Sequence, residues 1–244
     1  MGCRFCATGR QGLRRSLSTG EILNQILAIP ESARLTNIVF MGMGEPLDNY
    51  DNVLAALEIL TSPWGMAWSP TRITLSTAGI TPRLEQLIEA TKVHIAVSMH
   101  NPFHDQRAEI MPVEKAYPIR ELTDMLRRHD FSGQRRLSFE YILMEGLNDT
   151  AAHIRELRRL LNGLNCRINI IRFHRIPDSP YFSPPRQKME AFRDRLTAGG
   201  IHTTIRASRG EDMAMRRAEQ RRSQDHDTAD GDTHRPTTKQ TTER

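Results

Sequence analysis

The sequence is poor in cysteine, in aromatic residues and in long apolar runs. Its 244 residues include 3 cysteines, and Phe, Trp and Tyr together make up 6%. The longest apolar runs fall far short of the roughly 20 residues that a membrane-spanning helix needs. Residues 1–15 are basic and lack the apolar segment of a secretory signal. So few cysteines without an export signal argue against a disulfide framework, and we expect a soluble, cytoplasmic protein whose thiols serve a metal or catalysis.

The composition is that of a folded, basic protein. Hydrophobic residues make up 38% and charged residues 26% of the chain, and the formal net charge is +5. A chain of this length can bury one large α/β core or two small ones. The positive charge favours a polyanionic partner such as RNA, although many basic proteins bind none.

Segments with strand and helix patterns alternate strictly along the chain. The predicted strands are 35–42, 72–79, 92–100, 135–144, 166–174 and 201–208. The predicted helices are 18–29, which begins with a capping box, 49–61, 82–91, 119–130, 150–163 and the segment from 184 to about 198. This alternation predicts right-handed βαβ units and a parallel sheet, either doubly wound or closed into a full or partial barrel.

Polar residues collect where the predicted strands end. They are Gly44-Glu45 after the first strand, Ser76-Thr77 after the second, Ser98 and His100 after the third, and His174 after the fifth. Ligands of parallel α/β folds bind at the carboxyl ends of the strands, so one pocket is expected to collect these residues.

The character of the chain changes after about Met213. Residues 214–244 contain almost no large apolar side chain and are rich in Arg, Asp, Thr and Gln. Such a segment cannot bury enough apolar surface to offset its loss of conformational entropy. We therefore divide the chain into a core, 1–213, and a polar tail, 214–244, that we expect to be disordered.

Cys3 and Cys6 form a C-x-x-C pair near the start of the sequence. A structural zinc site needs four ligands, and only Cys166 and scattered histidines remain. A redox pair would begin a helix, whereas the first strong helix signal comes ten or more residues later. The spacing alone leaves an iron–sulfur site, a zinc site, a redox pair and incidental cysteines open.

Motifs around these cysteines and strand ends resemble those of one family. In order, they are GCRFCATGRQGLRRSLSTGEILNQI, FMGMGEPLDNYDNV, LSTAGI, SMHNP, FEYILMEGLND, CRINIIRFH and IRASRGED. Together they closely resemble the RlmN/Cfr family of radical S-adenosylmethionine rRNA methyltransferases, and RlmN more than Cfr. The resemblance runs from residue 1 to about Met213.

The resemblance implies a partial (β/α)6 TIM-like radical SAM barrel that holds a [4Fe–4S] cluster. The family's cluster motif is C-x-x-x-C-x-x-C, and three thiolates leave one iron open to S-adenosylmethionine. Cys3 and Cys6 match the second and third cysteines, and the first would lie just before Met1. We therefore expect the natural reading frame to continue upstream, with Met1 internal and with the first barrel strand and a small N-terminal domain missing from this chain.

The resemblance also implies a binding site for S-adenosylmethionine. Gly44 and Glu45 match the family's GEP motif, in which a carboxylate meets the amino group of the cofactor. Ser76 and the run Ser98-Met99-His100 match other cofactor-binding positions. His174 stands where many members have Asn. Without the resemblance, Ser76 and Ser98 would be interpreted as turn residues and His100 as a buried, hydrogen-bonded histidine.

The implied reaction is methyl transfer from S-adenosylmethionine to C2 of adenine in 23S rRNA and tRNA. The family uses two further cysteines for it, one of which accepts the methyl group near the C-terminus. No cysteine follows Cys166, which we interpret as a structural residue. Met215-Arg216 can be encoded ATG-CGN, which contains TGC in another frame, so a frameshift would explain the loss. An alternative is a genuinely divergent tail.

We therefore assign no catalytic residue in this chain and expect it to be inactive by itself. The expected partners are 23S rRNA and tRNA, without a membrane, and the expected state is a monomer. Two other functions remain open from the sequence: a different radical SAM enzyme built on the same core, and a non-catalytic RNA-binding remnant.

Overall fold

The computed structural model describes residues 1–10, 12–133, 135–176 and 179–206. Met1–Arg206 forms one compact unit. The predicted tail 214–244, the boundary at Met213 and the Met215-Arg216 pair lie outside the described residues.

Six parallel strands form one sheet. They are β1 (Ile38–Phe40), β2 (Ile73–Thr77), β3 (His94–Ser98), β4 (Leu137–Leu143), β5 (Cys166–Arg172) and β6 (His202–Ile205). Their order in the sheet follows their order in the chain, and each neighbouring pair is parallel. The six strands predicted from the sequence are confirmed.

Helices connect the strands. They are α1 (Ala7–Arg10), α2 (Thr19–Leu27), α3 (Tyr50–Thr61), α4 (Thr81–Ala90), α5 (His104–Ile110), α6 (Ile119–Leu126), α7 (Ala151–Leu160) and α8 (Arg186–Ala198). Short 3-10 turns cover Ser32–Arg34, Pro46–Asn49, Pro70–Arg72 and Pro112–Lys115. The predicted capping box before α2 is confirmed, because Ser18 accepts from the backbone of Glu21 and the Glu21 carboxylate accepts from the Ser18 N–H.

The sequential strand order decides between the two architectures that the sequence allowed. A doubly wound sheet reverses its strand order at one point and carries helices on both faces. Here the order never reverses, so right-handed connections bring every crossover helix to the same face. The fold is therefore a partial (β/α)6 barrel with helices outside and a concave inner face.

The core lies between the sheet and the helices. Leu75 of β2 and Phe139 of β4 belong to it together with Leu57 of α3 and Leu87 of α4. All four side chains are almost completely buried, and each fully buried side chain of this size contributes about 1.5–3 kcal/mol. In the described part of the chain, no helix is both long and apolar enough to cross a membrane.

The other face of the sheet is polar. Ser98 of β3 pairs in register with Glu140 of β4, Glu140 with Asn169 of β5, and Asn169 with Thr204 of β6. Successive side chains of a strand alternate between faces, so residues paired in register share a face. A polar row therefore crosses four strands on the concave side of the barrel.

Candidate functional site

Glu45 joins the ends of β1 and β2. Its carboxylate accepts hydrogen bonds from the Thr77 hydroxyl at 2.7 Å, the Ala78 N–H at 2.7 Å and the Leu47 N–H at 3.1 Å. Thr77 in turn accepts from the Gly79 N–H at 3.0 Å. Burial raises the pKa of Glu45, and these hydrogen bonds oppose the rise. The carboxylate is thus held by the protein rather than solvated, and one of its about four lone-pair positions remains for a ligand.

Arg107 of α5 joins the ends of β2 and β3. The side chain is fully buried, and its guanidinium donates to the carbonyl oxygens of Ala78 at 3.0 Å, Ser98 at 2.8 Å and Met99 at 3.0 Å. A further N–H donates to the Glu114 carboxylate. Burial lowers the pKa of Arg107, and the charge of Glu114 opposes this. One cation thereby fixes the backbone where both predicted serine motifs end.

Glu114 connects this cation to the next helix. Its carboxylate accepts from the Ile119 N–H, at 3.1 and 2.9 Å from its two oxygens, at the start of α6. The His104 ring nitrogen lies 2.9 Å from one of these oxygens. Glu114 is fully buried, so this pairing and capping offset the desolvation of its charge.

His100 is buried directly after β3. Its Nδ1 accepts from the Ile142 N–H at 3.0 Å, so the neutral ring carries its proton on Nε2, and its carbonyl accepts from the Asn148 amide at 2.7 Å. Burial, helped by the charge of Arg107, lowers the pKa of His100 to about 3. The backbone φ is +54°, a left-handed conformation that these two hydrogen bonds maintain. The Phe5 ring packs edge-on against it, with centroids 4.8 Å apart.

The cysteine loop docks on the same edge of the sheet. The Cys6 N–H donates to the Cys3 carbonyl at 3.2 Å, and the Gly9 N–H donates to the Cys6 sulfur at 3.3 Å. The Arg4 N–H donates to the Ile110 carbonyl at the end of α5. A Cβ at position 9 would come within 3.3 Å of the Cys3 carbonyl oxygen, so the loop is closed tightly around this glycine.

The one-turn helix α1 corrects a step of the sequence argument. No helix was expected directly after Cys6, yet Ala7–Arg10 forms one turn. The Cys6 sulfur accepts an N–H that the turn would otherwise leave unsatisfied. At four residues, α1 is too short to carry the strong apolar pattern on which helix prediction depends.

The Cys3 thiol lies close enough to the strand-end residues for their charges to act on it. Burial and the neighbouring Cys6 raise the pKa of Cys3, while Arg107 acts to lower it and Glu45 to raise it. Among the described residues, no three Cys, His, Asp or Glu side chains converge on one metal position. Cys166 begins β5 at the opposite edge of the sheet, where burial raises the pKa of its thiol to about 12. The structural interpretation of Cys166 agrees with this inert thiol.

The other predicted cofactor residues differ in their exposure and in what they offer a ligand. Ser76 and Ser98 are partly buried and lie within the last two residues of their strands rather than after them. Gly44 is exposed with φ +78°, and His174 is exposed beyond β5. Met99 differs, because its side chain is buried in the core and offers a ligand only its backbone.

Sequence reasoning missed the residues that organise this edge. They are Arg107, Glu114, Glu140 and Asn148. Glu140 had a usable signal, because it is the one charged residue in the mostly apolar strand LSFEYIL. Arg107 had none, since α5 is only seven residues long.

The geometry therefore offers two soft thiol ligands beside a fixed carboxylate at the carboxyl edge of a parallel sheet. Thiols bind iron or zinc when deprotonated, and a carboxylate accepts from an ammonium. A small ligand with an amino group would be able to contact both Glu45 and a metal bound by the two thiolates.

Comparison with known proteins places this arrangement in a family. The Radical SAM superfamily profile matches residues 1–161. The probable dual-specificity RNA methyltransferase RlmN of Bacteroides fragilis is 54% identical over 213 residues, 87% of this chain and 62% of that protein. The RlmN of Syntrophus aciditrophicus, described as a dual-specificity RNA methyltransferase, is 45% identical over 217 residues, 87% of this chain and 62% of that protein.

A solved structure agrees with these sequence matches. The crystal structure of a radical SAM methyltransferase from Sphaerobacter thermophilus superposes with a TM-score of 0.81 at 43% identity, covering 86% of this chain and 64% of that one. The chain thus spans less than two thirds of the length of each of these three relatives.

Proposed function

The chain belongs to the Radical SAM superfamily, and from this we propose that it forms the cluster- and cofactor-binding core of an RlmN-like RNA methyltransferase, without the two methyl-transfer cysteines of that family. The reaction is transfer of a methyl group from S-adenosylmethionine to C2 of adenine in 23S rRNA and tRNA. The observation that carries the proposal is the docking of the Cys3–Cys6 loop on the ends of β3 and α5, at the same side of the sheet where Glu45 joins the ends of β1 and β2. The 54% identity to an RlmN protein supports the choice of reaction.

Radical SAM proteins use a [4Fe–4S] cluster and S-adenosylmethionine, which together supply a 5′-deoxyadenosyl radical. The donor set of this chain fits the cluster in part. Cys3 and Cys6 are adjacent, half-buried thiols in a closed loop, as cluster ligands should be. They provide two of the three thiolates that the family's motif supplies.

Glu45 would bind the amino group of S-adenosylmethionine. Its carboxylate is already oriented by three hydrogen bonds, so little freedom is lost when an ammonium binds. Gly44, with φ +78° and no atom within 4 Å of an added Cβ, leaves room for the ligand beside it.

The remaining predicted contacts would line the concave face. Ser76 and Ser98 would offer hydroxyl groups from neighbouring strands, and Met99 would offer backbone atoms alone. His100 would present Nε2–H, because its Nδ1 is occupied. His174, exposed after β5, would contact the cofactor from the far side of the site.

RNA is the proposed substrate, and the expected surroundings are cytoplasmic with the protein as a monomer. The net charge of +5 favours a polyanion, and an adenine must leave its stack before C2 can be reached. The two other functions left open by the sequence are less well supported, because the similarity to RlmN proteins extends over 213 residues rather than over one motif.

Deletion of the gene that encodes this chain tests the proposal in its host. We expect 2-methyladenosine to disappear from digested 23S rRNA and tRNA, as measured by mass spectrometry, and to return when the intact gene is restored. A gene carrying Cys3→Ala should fail to restore it, whereas the exposed Glu58→Gln should succeed. Unchanged 2-methyladenosine in both RNAs would refute the function, and loss from one of them alone would correct the substrate.

A further inference from the structure

Arg206 lies across the open side of the partial barrel. Its backbone N–H donates to the Ile170 carbonyl at 2.8 Å and continues the pairing of β6 with β5. Its guanidinium reaches the sulfur of Met41, the residue after β1, at 3.8 and 4.0 Å. β1 and β6 are the two outermost strands of the described sheet. A cation therefore bridges the gap between them, four residues before Glu45 on the β1 side.

The donors of this guanidinium are poorly used. It carries five N–H groups, and a thioether sulfur is a weak acceptor. The nearest described carboxylate oxygen, on Glu140, is 3.8 Å away, which is beyond hydrogen-bond distance. The Arg206 side chain is 49% exposed. Within residues 1–206 as described, the guanidinium thus has charge and directed donors but no oxygen acceptor in reach.

Glu140 fixes where this cation lies. It is 3% exposed, and one of its oxygens accepts from the Asn169 amide at 2.8 Å. The Asn169 oxygen accepts from the Thr204 hydroxyl at 2.9 Å, which sets the orientation of the amide. The second Glu140 oxygen accepts no hydrogen bond among the described residues. The carboxylate therefore attracts the guanidinium electrostatically but accepts no hydrogen bond from it.

We propose that Arg206 binds a phosphodiester group of the RNA substrate, with Glu140 as its positioning residue. The planar guanidinium fork matches the oxygens of a phosphate, and most protein contacts that fix the register of a nucleic acid go to phosphates. Arg206 faces solvent at the rim beside the proposed site, where the strand flanking an extruded adenine would pass. The inference rests on the proposed function, because it takes RNA as the ligand.

The test measures the binding of a short, fluorescently labelled, single-stranded oligoribonucleotide containing adenine to the full chain, between about 50 and 200 mM salt. Loss of one phosphate contact should reduce the slope of log K against log salt by about 0.7. We expect Arg206→Gln to lower affinity roughly 3- to 10-fold and to reduce the slope by that amount. Arg206→Lys should keep the slope and regain part of the affinity, because it keeps the charge and loses the fork.

A matched control uses Arg34, whose guanidinium also lies 3.8 Å from a carboxylate, that of Glu31. Arg34 precedes β1 and therefore lies on the side of the amino ends of the strands, away from the proposed site. Arg34→Gln removes the same charge and should leave affinity and slope unchanged. Glu140→Gln should lower affinity less than Arg206→Gln and leave the slope unchanged, because the phosphate contact persists with poorer placement. Thermal melting of each variant checks that it folds.

Three results would overturn the inference. They are an Arg206→Gln slope equal to that of the unsubstituted chain, an equal loss in Arg34→Gln, and a loss of affinity for S-adenosylmethionine in equilibrium dialysis without a loss for RNA. The last would assign Arg206 to the cofactor carboxylate. Failure of the proposed function is seen separately, as unchanged 2-methyladenosine after gene deletion.

Discussion

Two arginine–glutamate pairs stand at the carboxyl edge of this sheet, and they differ in almost every other respect. Arg107 and Glu114 are fully buried, and the structure shows an acceptor for each terminal nitrogen of the guanidinium and donors for the carboxylate. Arg206 lies at the gap between the outermost strands, with its guanidinium half exposed and 3.8 Å from the carboxylate of Glu140 in β4. We call Arg107–Glu114 the closed pair, because both side chains are shielded from solvent, and Arg206–Glu140 the open pair, because its guanidinium is half exposed.

The difference separates structural charge from charge available to a ligand. A buried ion pair is tolerated when hydrogen bonds satisfy its remaining donors and acceptors, and it then fixes the backbone around it. Arg107 does this for the ends of β2 and β3, from which Ser98 and His100 are presented. Among the described residues Arg206 has no oxygen acceptor within hydrogen-bond distance, and its half-exposed guanidinium is accessible to a ligand.

The largest expected effect comes from breaking the closed pair. Arg107→Met should lower the free energy of unfolding by about 3–5 kcal/mol, because it leaves the Glu114 carboxylate buried without its cation. Denaturant unfolding followed by circular dichroism measures this. The double variant Arg107→Met, Glu114→Leu should recover part of the loss. A single variant that loses less than about 1 kcal/mol would contradict the structural role of Arg107.

Glu45→Gln should weaken the binding of S-adenosylmethionine by about 10- to 100-fold, the usual contribution of one charged hydrogen bond. Equilibrium dialysis of the reconstituted protein measures it. Thr77→Val removes a hydrogen bond to Glu45 but keeps its charge, so a smaller loss is expected there. An unchanged affinity of Glu45→Gln for S-adenosylmethionine would show that Glu45 has only a structural role, in joining two loops.

His100 makes stability depend on pH. Its pKa is about 3 in the folded protein, below the value of about 6.5 expected for an unfolded chain. Between about pH 6.5 and 3 the His100 ring binds a proton in the unfolded chain but not in the folded protein. The contribution of His100 to the free energy of unfolding therefore falls as the pH drops through this range, by at most about 1.4 kcal/mol per pH unit.

His100→Asn should remove that contribution from the slope. Asn tolerates the left-handed backbone and does not titrate in this range. Denaturant unfolding at a series of pH values compares the two proteins. Their curves should run parallel between pH 7 and 8 and converge below pH 6. Parallel curves at every pH would show that His100 is not a buried neutral group.

The smallest effect is expected at the open pair. Arg206→Gln should change the free energy of unfolding by less than about 0.5 kcal/mol, as is usual for exposed side chains. The same unfolding assay gives a direct contrast with Arg107→Met. If Arg206→Gln destabilises the protein by more than about 2 kcal/mol, the open pair is structural and the contrast between the two pairs fails.

The sequence was informative where the physical signal is local. Strands such as β2 and β4 were predicted because apolar residues form short runs bounded by turn residues, and α2 because a capping box precedes its apolar pattern. Helix α5 escaped prediction because seven residues cannot show a clear helical period. Its start is instead marked by the Asn101 side chain, which accepts from the Phe103 N–H.

The sequence by itself predicted that the fold is a parallel α/β sheet and that Glu45, Ser98 and His100 lie where its strands end. Both follow from the alternation of local patterns and from the rule that parallel strands end on the same side, whereas the roles of Cys3 and Cys6 came from the family resemblance alone. Only the tertiary structure decided that the strands run in sequential order, that Met99 points into the core, and that one arginine pair is closed while the other is open. These depend on register and burial between residues far apart in the chain, such as Arg206 and Met41, and no local pattern records which distant group shields a charge from water.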